Sequence, residues 1–206
     1  MFFTAAIVAT VLVYIWFFEG RTDRAWVYVA GAIVLVLAFV HALRRRAWGF
    51  DWTAVRGSAR LAAPWTAAAV IGIGVAGAMA GTIHDRRDFL GTFLALVAWG
   101  GAQQWVLQTA VLRDTQRAAG RQAGIGIAAL LFGLVHMPNV FLTVMTTIGA
   151  LIWCAIYDRY PNIVPLAVSH ALATLAILYA FDEAITGRLR IGASYLSLVP
   201  GWPQPY

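Results

Sequence analysis

The sequence predicts an all-α fold, a polytopic bundle of about seven transmembrane helices. First, 61% of the 206 residues are hydrophobic and only 12% are charged, whereas soluble domains contain about 25% charged residues. Second, the apolar residues form charge-free stretches, and a hydrocarbon core of about 30 Å needs roughly 20 helical residues to cross it. Third, all nine acidic residues fall outside those stretches. The chain is therefore expected to be an integral membrane protein.

The predicted spans are residues 2–18, 25–43, 62–83, 89–112, 122–136, 140–157 and 163–180. The first is taken as a retained helix, because no basic residue precedes it and no small-residue cleavage pattern ends it. Residues 44–61 mix Trp48, Phe50 and Trp52 with arginines, a composition typical of an interfacial elbow or helix, so a total of eight helices also fits. We expect a single membrane domain over residues 1–206, with residues 184–206 as an extramembrane or interfacial tail.

The charge pattern indicates the orientation of the bundle. The net charge is +6, and all 15 basic residues are arginines. Counted over alternate loops, nine arginines lie on the side of the N-terminus and six on the other. The positive-inside rule then predicts a cytoplasmic N-terminus and places residues 202–206 outside. We attribute the basic excess to the anionic membrane surface, not to nucleic acid.

Polar side chains inside the spans are the candidates for function, because they are costly at membrane depth unless they pair or line a wet cavity. They form three groups: Gln103, Gln104 and Gln108; His136 with Asn139; and His170 with Thr174. The span 122–136 has only 15 residues, about 22 Å of helix, so it is expected to break inside the membrane with His136 facing an internal pocket. Spacing alone leaves two interpretations open, a polar site shared by three helices or simple interhelical hydrogen bonds.

Several segments resemble the CAAX prenyl protease and bacteriocin-processing (CPBP) family of intramembrane proteases. Residues 130–139, LLFGLVHMPN, resemble its F-x-x-x-H motif, and residues 162–170, NIVPLAVSH, resemble the segment that carries its last histidine in the motif H-x-x-x-N. Residues 103–108, QQWVLQ, take the place of its E-E-x-x-x-R motif. The resemblance covers about residues 89–180 and implies a CPBP-like core there, in a protein of the bacterial cytoplasmic membrane.

The resemblance implies a role for each motif position. In the family a glutamate activates the attacking water, two histidines hold that water or a metal, and the asparagine stabilises an oxyanion. Both histidines are kept as His136 and His170, whereas the two glutamates, the arginine and the asparagine are replaced by Gln103, Gln104, Gln108 and Thr174. A carboxamide has no accessible basic form and cannot replace the general base. The sequence therefore predicts a pseudoenzyme with no catalytic residues.

Such an inactive relative is expected to be a structural, assembly or binding subunit for another membrane protein or complex, for example a pigment or electron-transfer complex, in contact with membrane lipid. The alternative is an active intramembrane endopeptidase that cuts prenylated or transmembrane peptides through His136 and His170, which would then be candidate zinc ligands. A tetrapyrrole on His41 is a further hypothesis, although an interfacial histidine that snorkels towards the headgroups explains the same residue. The sequence identifies neither the partner nor the oligomeric state.

Overall fold

The computed structural model describes residues 1–19 and 25–199. Across these residues the regular structure is helical, apart from one isolated antiparallel bridge between Phe50 and Asn162. Three of the described helices are by themselves long and apolar enough to cross a membrane: Ala25–Arg45, Val55–Ala80 and Val140–Arg159. The all-α membrane bundle is confirmed.

The helices follow the predicted spans closely. They are α1 (Phe2–Val13), which continues as a π-helical segment (Tyr14–Phe18), α2 (Ala25–Arg45), α3 (Val55–Ala80), α4 (Phe89–Val106), a second π-helical segment (Leu107–Val111), α5 (Leu112–Ala119), α6 (Arg121–Leu134), α7 (Val140–Arg159), α8 (Val164–Ala180), α9 (Glu183–Thr186) and α10 (Gly192–Leu196). Helix α3 begins earlier than predicted, so the segment 44–61 consists of the last turn of α2, a short linker and the start of α3. The predicted outer end, residues 202–206, lies outside the described residues.

The core lies where the second π-helical segment meets α6, α7 and α8. Leu107, Leu112, Tyr157 and Leu166 are almost completely buried there. Small residues bring the helices together, as small-residue interfaces do in membrane bundles. At Gly133 of α6, a Cβ atom would lie 1.8 Å from the Thr147 hydroxyl of α7, so only glycine permits this approach.

The N-terminus and three connections meet at one end of the bundle. The amide of Ile163 donates to the carbonyl of Gly49, and the amide of Asp51 donates to that of Pro161, both within 3.1 Å. Arg121 forms an ion pair with Asp158 in the same region. Connections at residues 46–54, 119–121 and 160–163 therefore share one membrane side, as alternate loops of a seven-helix chain must. The assignment of that side to the cytoplasm remains a prediction.

His41 and Asp114 form a buried polar contact that the sequence did not reveal. The expectation that His41 snorkels towards the headgroups was wrong, since His41 is only 1% exposed and Asp114 only 3%. His41 Nε2 donates to Asp114 Oδ1 at 3.0 Å, while the Thr4 hydroxyl and the N-terminal amine contact Oδ2 at 3.0 and 3.2 Å. This carboxylate ties α1, α2 and α5 together. A tetrapyrrole on His41 Nε2 would require that this hydrogen bond be given up.

We expect the substitution Asp114→Asn to destabilise the bundle, because it removes the negative charge that faces the N-terminal amine and accepts hydrogen bonds from His41 and Thr4. Breaking one partner of a buried ion pair typically costs about 3 kcal/mol or more, and thermal unfolding of the purified protein in detergent measures the loss. The matched control is Asp85→Asn, since Asp85 is exposed and its change should stay within about 0.5 kcal/mol. Equal effects of the two substitutions would contradict this account.

Candidate functional site

Two glutamines of α4 and the following π-helical segment form a buried network with a histidine of α8. Gln104 and Gln108 are completely buried. Gln104 Nε2 lies 3.4 Å from His170 Nδ1, and Gln108 Nε2 donates to Gln104 Oε1 at 2.9 Å. Gln108 lies in the π-helical turn, a feature that often occurs at functional sites. The network is uncharged, with Gln104 as the link between the other two side chains.

The His170 ring is held on several sides. Trp153 of α7 stacks on it with a centroid distance of 4.7 Å, and the Trp153 indole N–H donates to the Ser169 hydroxyl at 3.0 Å. On the side of α4, a Cβ atom added at Gly100 would lie 3.2 Å from His170 Cγ. Glycine at this position lets α4 and α8 approach closely enough for Gln104 to reach the imidazole. The ring orientation is therefore fixed by packing as well as by its polar contact.

His136 lies in the turn just after α6 ends at Leu134. Its Nδ1 donates to the carbonyl of Phe132 at 2.7 Å, with the Thr146 hydroxyl 3.4 Å away. An Nδ1–H donor leaves Nε2 with a free lone pair in the neutral ring. Within the described residues, Nε2 makes no hydrogen bond. His136 therefore presents one available acceptor atom.

The ring of Phe132 lies next to both imidazoles, with centroid distances of 5.2 Å to His136 and 6.3 Å to His170. Helices α4, α6 and α8 thus bring Gln104, His136 and His170 into one region. Among the described residues, no group of three or more histidine, cysteine, aspartate or glutamate side chains is arranged to hold a metal. A catalytic zinc ion usually has three protein ligands, so a zinc ion held by His136 and His170 remains a prediction of the sequence analysis.

Two other candidate residues of the sequence analysis, Thr174 and Asn139, lie outside the network of Gln104, Gln108 and His170. Thr174 is half-buried one turn beyond His170 on α8, and no hydrogen bond among the described residues joins it to the network. Asn139 caps α7 by accepting from the amide of Leu142 at 3.1 Å, and its side-chain N–H groups donate to the carbonyls of Thr186 and Arg190. Asn139 is thus fully used in fixing the chain after the break.

Gln103 and His136 line an apolar cavity of about 330 Å³ between α1, α2, α4 and α6. Most of the wall consists of aliphatic and aromatic side chains, among them Val8, Trp99 and Phe132. Binding sites for small molecules commonly have volumes of about 300 to 1,000 Å³ and apolar walls with a few polar groups. The cavity has the size and lining of a site for an apolar ligand.

Glu19 also lines this cavity, which the sequence analysis missed. It lies one residue beyond the π-helical end of α1, and its Oε2 is buried without a hydrogen-bond partner among the described residues. The tail brings this region close to His136, because Gly192 packs against Ile15 and its amide donates to the carbonyl of Met137 at 2.9 Å. Glu19 lies outside the predicted span 2–18, as the sequence analysis states, yet it lines the same cavity as His136. The position of Glu19 directly after a span was the available signal.

Comparison with known proteins finds a family model that matches part of the chain. Residues 85–176 match the family model described as "Rce1-like: Type II CAAX prenyl endopeptidase Rce1-like". The matched segment contains Gln103, Gln104, Gln108, His136 and His170 and confirms the resemblance. Neither the curated proteins nor the solved structures gave a significant match to the chain.

We expect Gln104→Leu to destabilise the protein, because it removes from the buried network the amide that contacts both Gln108 Nε2 and His170 Nδ1. An orphaned buried polar group typically costs about 1 to 3 kcal/mol. The control is Gln103→Leu, since Gln103 is half-buried on the cavity wall and should change stability by about 0.5 kcal/mol or less. Thermal unfolding in detergent compares the two variants, and an unchanged Gln104→Leu protein would show that the network does not stabilise the fold.

Proposed function

We propose that the protein is a proteolytically inactive relative of the Rce1-like type II CAAX prenyl endopeptidases, whose family model residues 85–176 match, and that it acts as a binding subunit for another membrane protein or complex. The observation that carries this proposal is Gln104, which is buried and hydrogen-bonded between His170 and Gln108. A carboxamide cannot accept a proton from water near neutral pH. The polar centre therefore lacks the general base that the family motif provides.

The energetics of the bilayer support the same interpretation. A charged carboxylate or guanidinium near the bilayer centre is disfavoured by about 2.5 to 3.5 kcal/mol on insertion scales. An enzyme must tolerate that cost, because the charge performs the chemistry. Gln103, Gln104 and Gln108 replace all three charged positions of the family motif at once, and the last two pair with each other at 2.9 Å. This combination favours a stable neutral core over catalysis.

The apolar cavity is the proposed binding site. Its 330 Å³ and its aliphatic and aromatic wall suit an apolar chain, such as a prenyl-like group or lipid chain on a membrane protein partner. Gln103 and His136 supply polar groups on the same wall. The free Nε2 of His136 can accept a hydrogen bond from a peptide N–H beside such a chain. The protein would hold this segment without cutting it.

A second candidate function, an active intramembrane endopeptidase, is favoured by Glu19. Glu19 lines the cavity that also contains His136, and its buried Oε2 has no hydrogen-bond partner in the described part of the chain. A carboxylate or a neutral imidazole can accept a proton from water. Glu19 could thus supply from α1 the base that Gln104 lacks, with His136 and His170 as the other polar groups.

A cleavage assay separates the two functions. We expect the purified protein in nanodiscs to leave a farnesylated peptide intact, at the rate of the peptide alone, because no general base acts on water. Product formation is followed by mass spectrometry, with the Gln103→Glu/Gln104→Glu double variant as the attempted restoration of the motif. Cleavage by the unaltered protein that His136→Ala lowers by about 10²-fold or more would overturn the proposal. A matching loss in Glu19→Gln would then identify Glu19 as the base.

Photolabelling tests the cavity itself. We expect a photoreactive farnesyl-peptide probe to label residues of α1, α2, α4 or α6 in a saturable manner. Ala102→Phe should weaken this labelling about tenfold, the equivalent of about 1.4 kcal/mol, since Ala102 lines the cavity. Ala69→Phe is the control, because Ala69 is exposed on α3 outside the cavity. Labelling that responds equally to both substitutions would mean that the probe binds elsewhere.

A further inference from the structure

A second cavity of about 640 Å³ lies at the end of the bundle that contains the N-terminus, and it shares no lining residue with the apolar cavity. We name it the basic pocket. Its charged lining consists of the arginines Arg46, Arg113, Arg117 and Arg121 and the acids Asp51 and Asp158. These side chains come from the end of α2, the linker after it, and the adjoining ends of α5, α6 and α7. The lining carries a net charge of four minus two, or +2.

The two carboxylates of the basic pocket already have hydrogen-bond or ion-pair partners within the protein. One carboxylate oxygen of Asp158 accepts from Gln116 Nε2 at 2.7 Å, and the other pairs with Arg121. Asp51 accepts hydrogen bonds from the hydroxyl and the amide of Thr53, which hold the pKa of the Asp51 carboxyl below its usual range. Of the arginines, only Arg121 has its charge matched by a carboxylate of the pocket.

The other three arginines retain unsatisfied donors. Arg113 lies over the ring of the buried Tyr157, 5.2 Å from its centroid, and donates to Gln116 Oε1 at 3.4 Å, so its half-buried guanidinium is held in the pocket. Arg117 is 3.9 Å from Asp114, whose oxygens are held more closely by His41, Thr4 and the N-terminal amine. Arg46 makes no ion pair within the described part of the chain. The pocket therefore combines a fixed guanidinium with two more exposed ones.

We propose that the basic pocket binds a phosphate group. Guanidinium groups match phosphate oxygens with paired, charge-assisted hydrogen bonds, so clustered arginines favour this anion. The phosphate can come from an anionic lipid headgroup or from free phosphate. The rim favours the lipid, because Trp48 and Phe50 are exposed there and Trp105 fixes the Trp48 carbonyl with a 3.1 Å hydrogen bond. Such aromatic side chains lie at the level of the headgroups.

The test compares two double variants of the full-length protein. Arg46→Gln/Arg117→Gln removes two exposed guanidiniums from the pocket while leaving the stacked Arg113 in place. Arg56→Gln/Arg60→Gln removes the same charge from exposed positions near the start of α3, outside the pocket. Thermal unfolding shows whether Arg46→Gln/Arg117→Gln still folds. If it does not, the single variant Arg117→Gln tests the same prediction with a smaller change.

Native mass spectrometry in neutral detergent measures the retention of added phosphatidylglycerol, with phosphatidylcholine and inorganic phosphate as separate arms. We expect one phosphatidylglycerol per chain, with retention falling about tenfold in Arg46→Gln/Arg117→Gln and unchanged in Arg56→Gln/Arg60→Gln. Competition by millimolar inorganic phosphate with equal retention of both lipids would identify free phosphate as the ligand. Binding of neither probe, or equal loss in both double variants, would overturn the proposal, because the arginines of the pocket would then have no specific role.

Discussion

The structure depends on one constraint, which is that a polar group buried at membrane depth must find its partner in the protein. Water is absent from the hydrocarbon core, and an unsatisfied polar group there costs several kcal/mol. The two buried amides meet most of this requirement through the hydrogen bond from Gln108 to Gln104 and the contact of Gln104 with His170, while Gln108 Oε1 has no hydrogen-bond partner among the described residues. The solution requires α4 and α8 to be in contact, which glycine at position 100 permits. Packing and polar pairing are thus two aspects of the same interface.

The sequence predicted the helices well because the length of an apolar stretch is a local property. Each predicted span corresponds to a helix, and the early end of α6 at Leu134 follows directly from the short stretch before Pro138. The starts of helices were less accurate, as at α3, where the amphipathic turns before residue 62 continue the helix. Neither π-helical segment was predicted, because the spans were located from the length of charge-free stretches, which does not depend on the hydrogen-bonding pattern of individual turns.

The sequence failed where a residue's role depends on a partner far along the chain. His41 lies 73 positions from Asp114, and nothing near either residue indicates the pair. Glu19 follows a span and looks like a loop residue, yet the tail packs over it and encloses it on the cavity wall. By contrast, Gln104 and His170 were identified because the family motif already relates their positions. Long-range polar contacts therefore need either a fold or a motif to be predicted.

The bundle contains an uncharged amide network and a basic pocket, and one long helix connects these two regions. The amide network contains Gln108 of the second π-helical segment, and the basic pocket contains Arg113 of α5. Helix α5 follows the π-helical segment without a break. One extra residue in a π turn changes the helix register by about 100° relative to an uninterrupted α-helix. The turn therefore sets which residues of α5 face the arginine cluster while α4 keeps Gln104 against His170. The same local distortion orients both regions, so a change in the π turn would alter the basic pocket as well as the amide network.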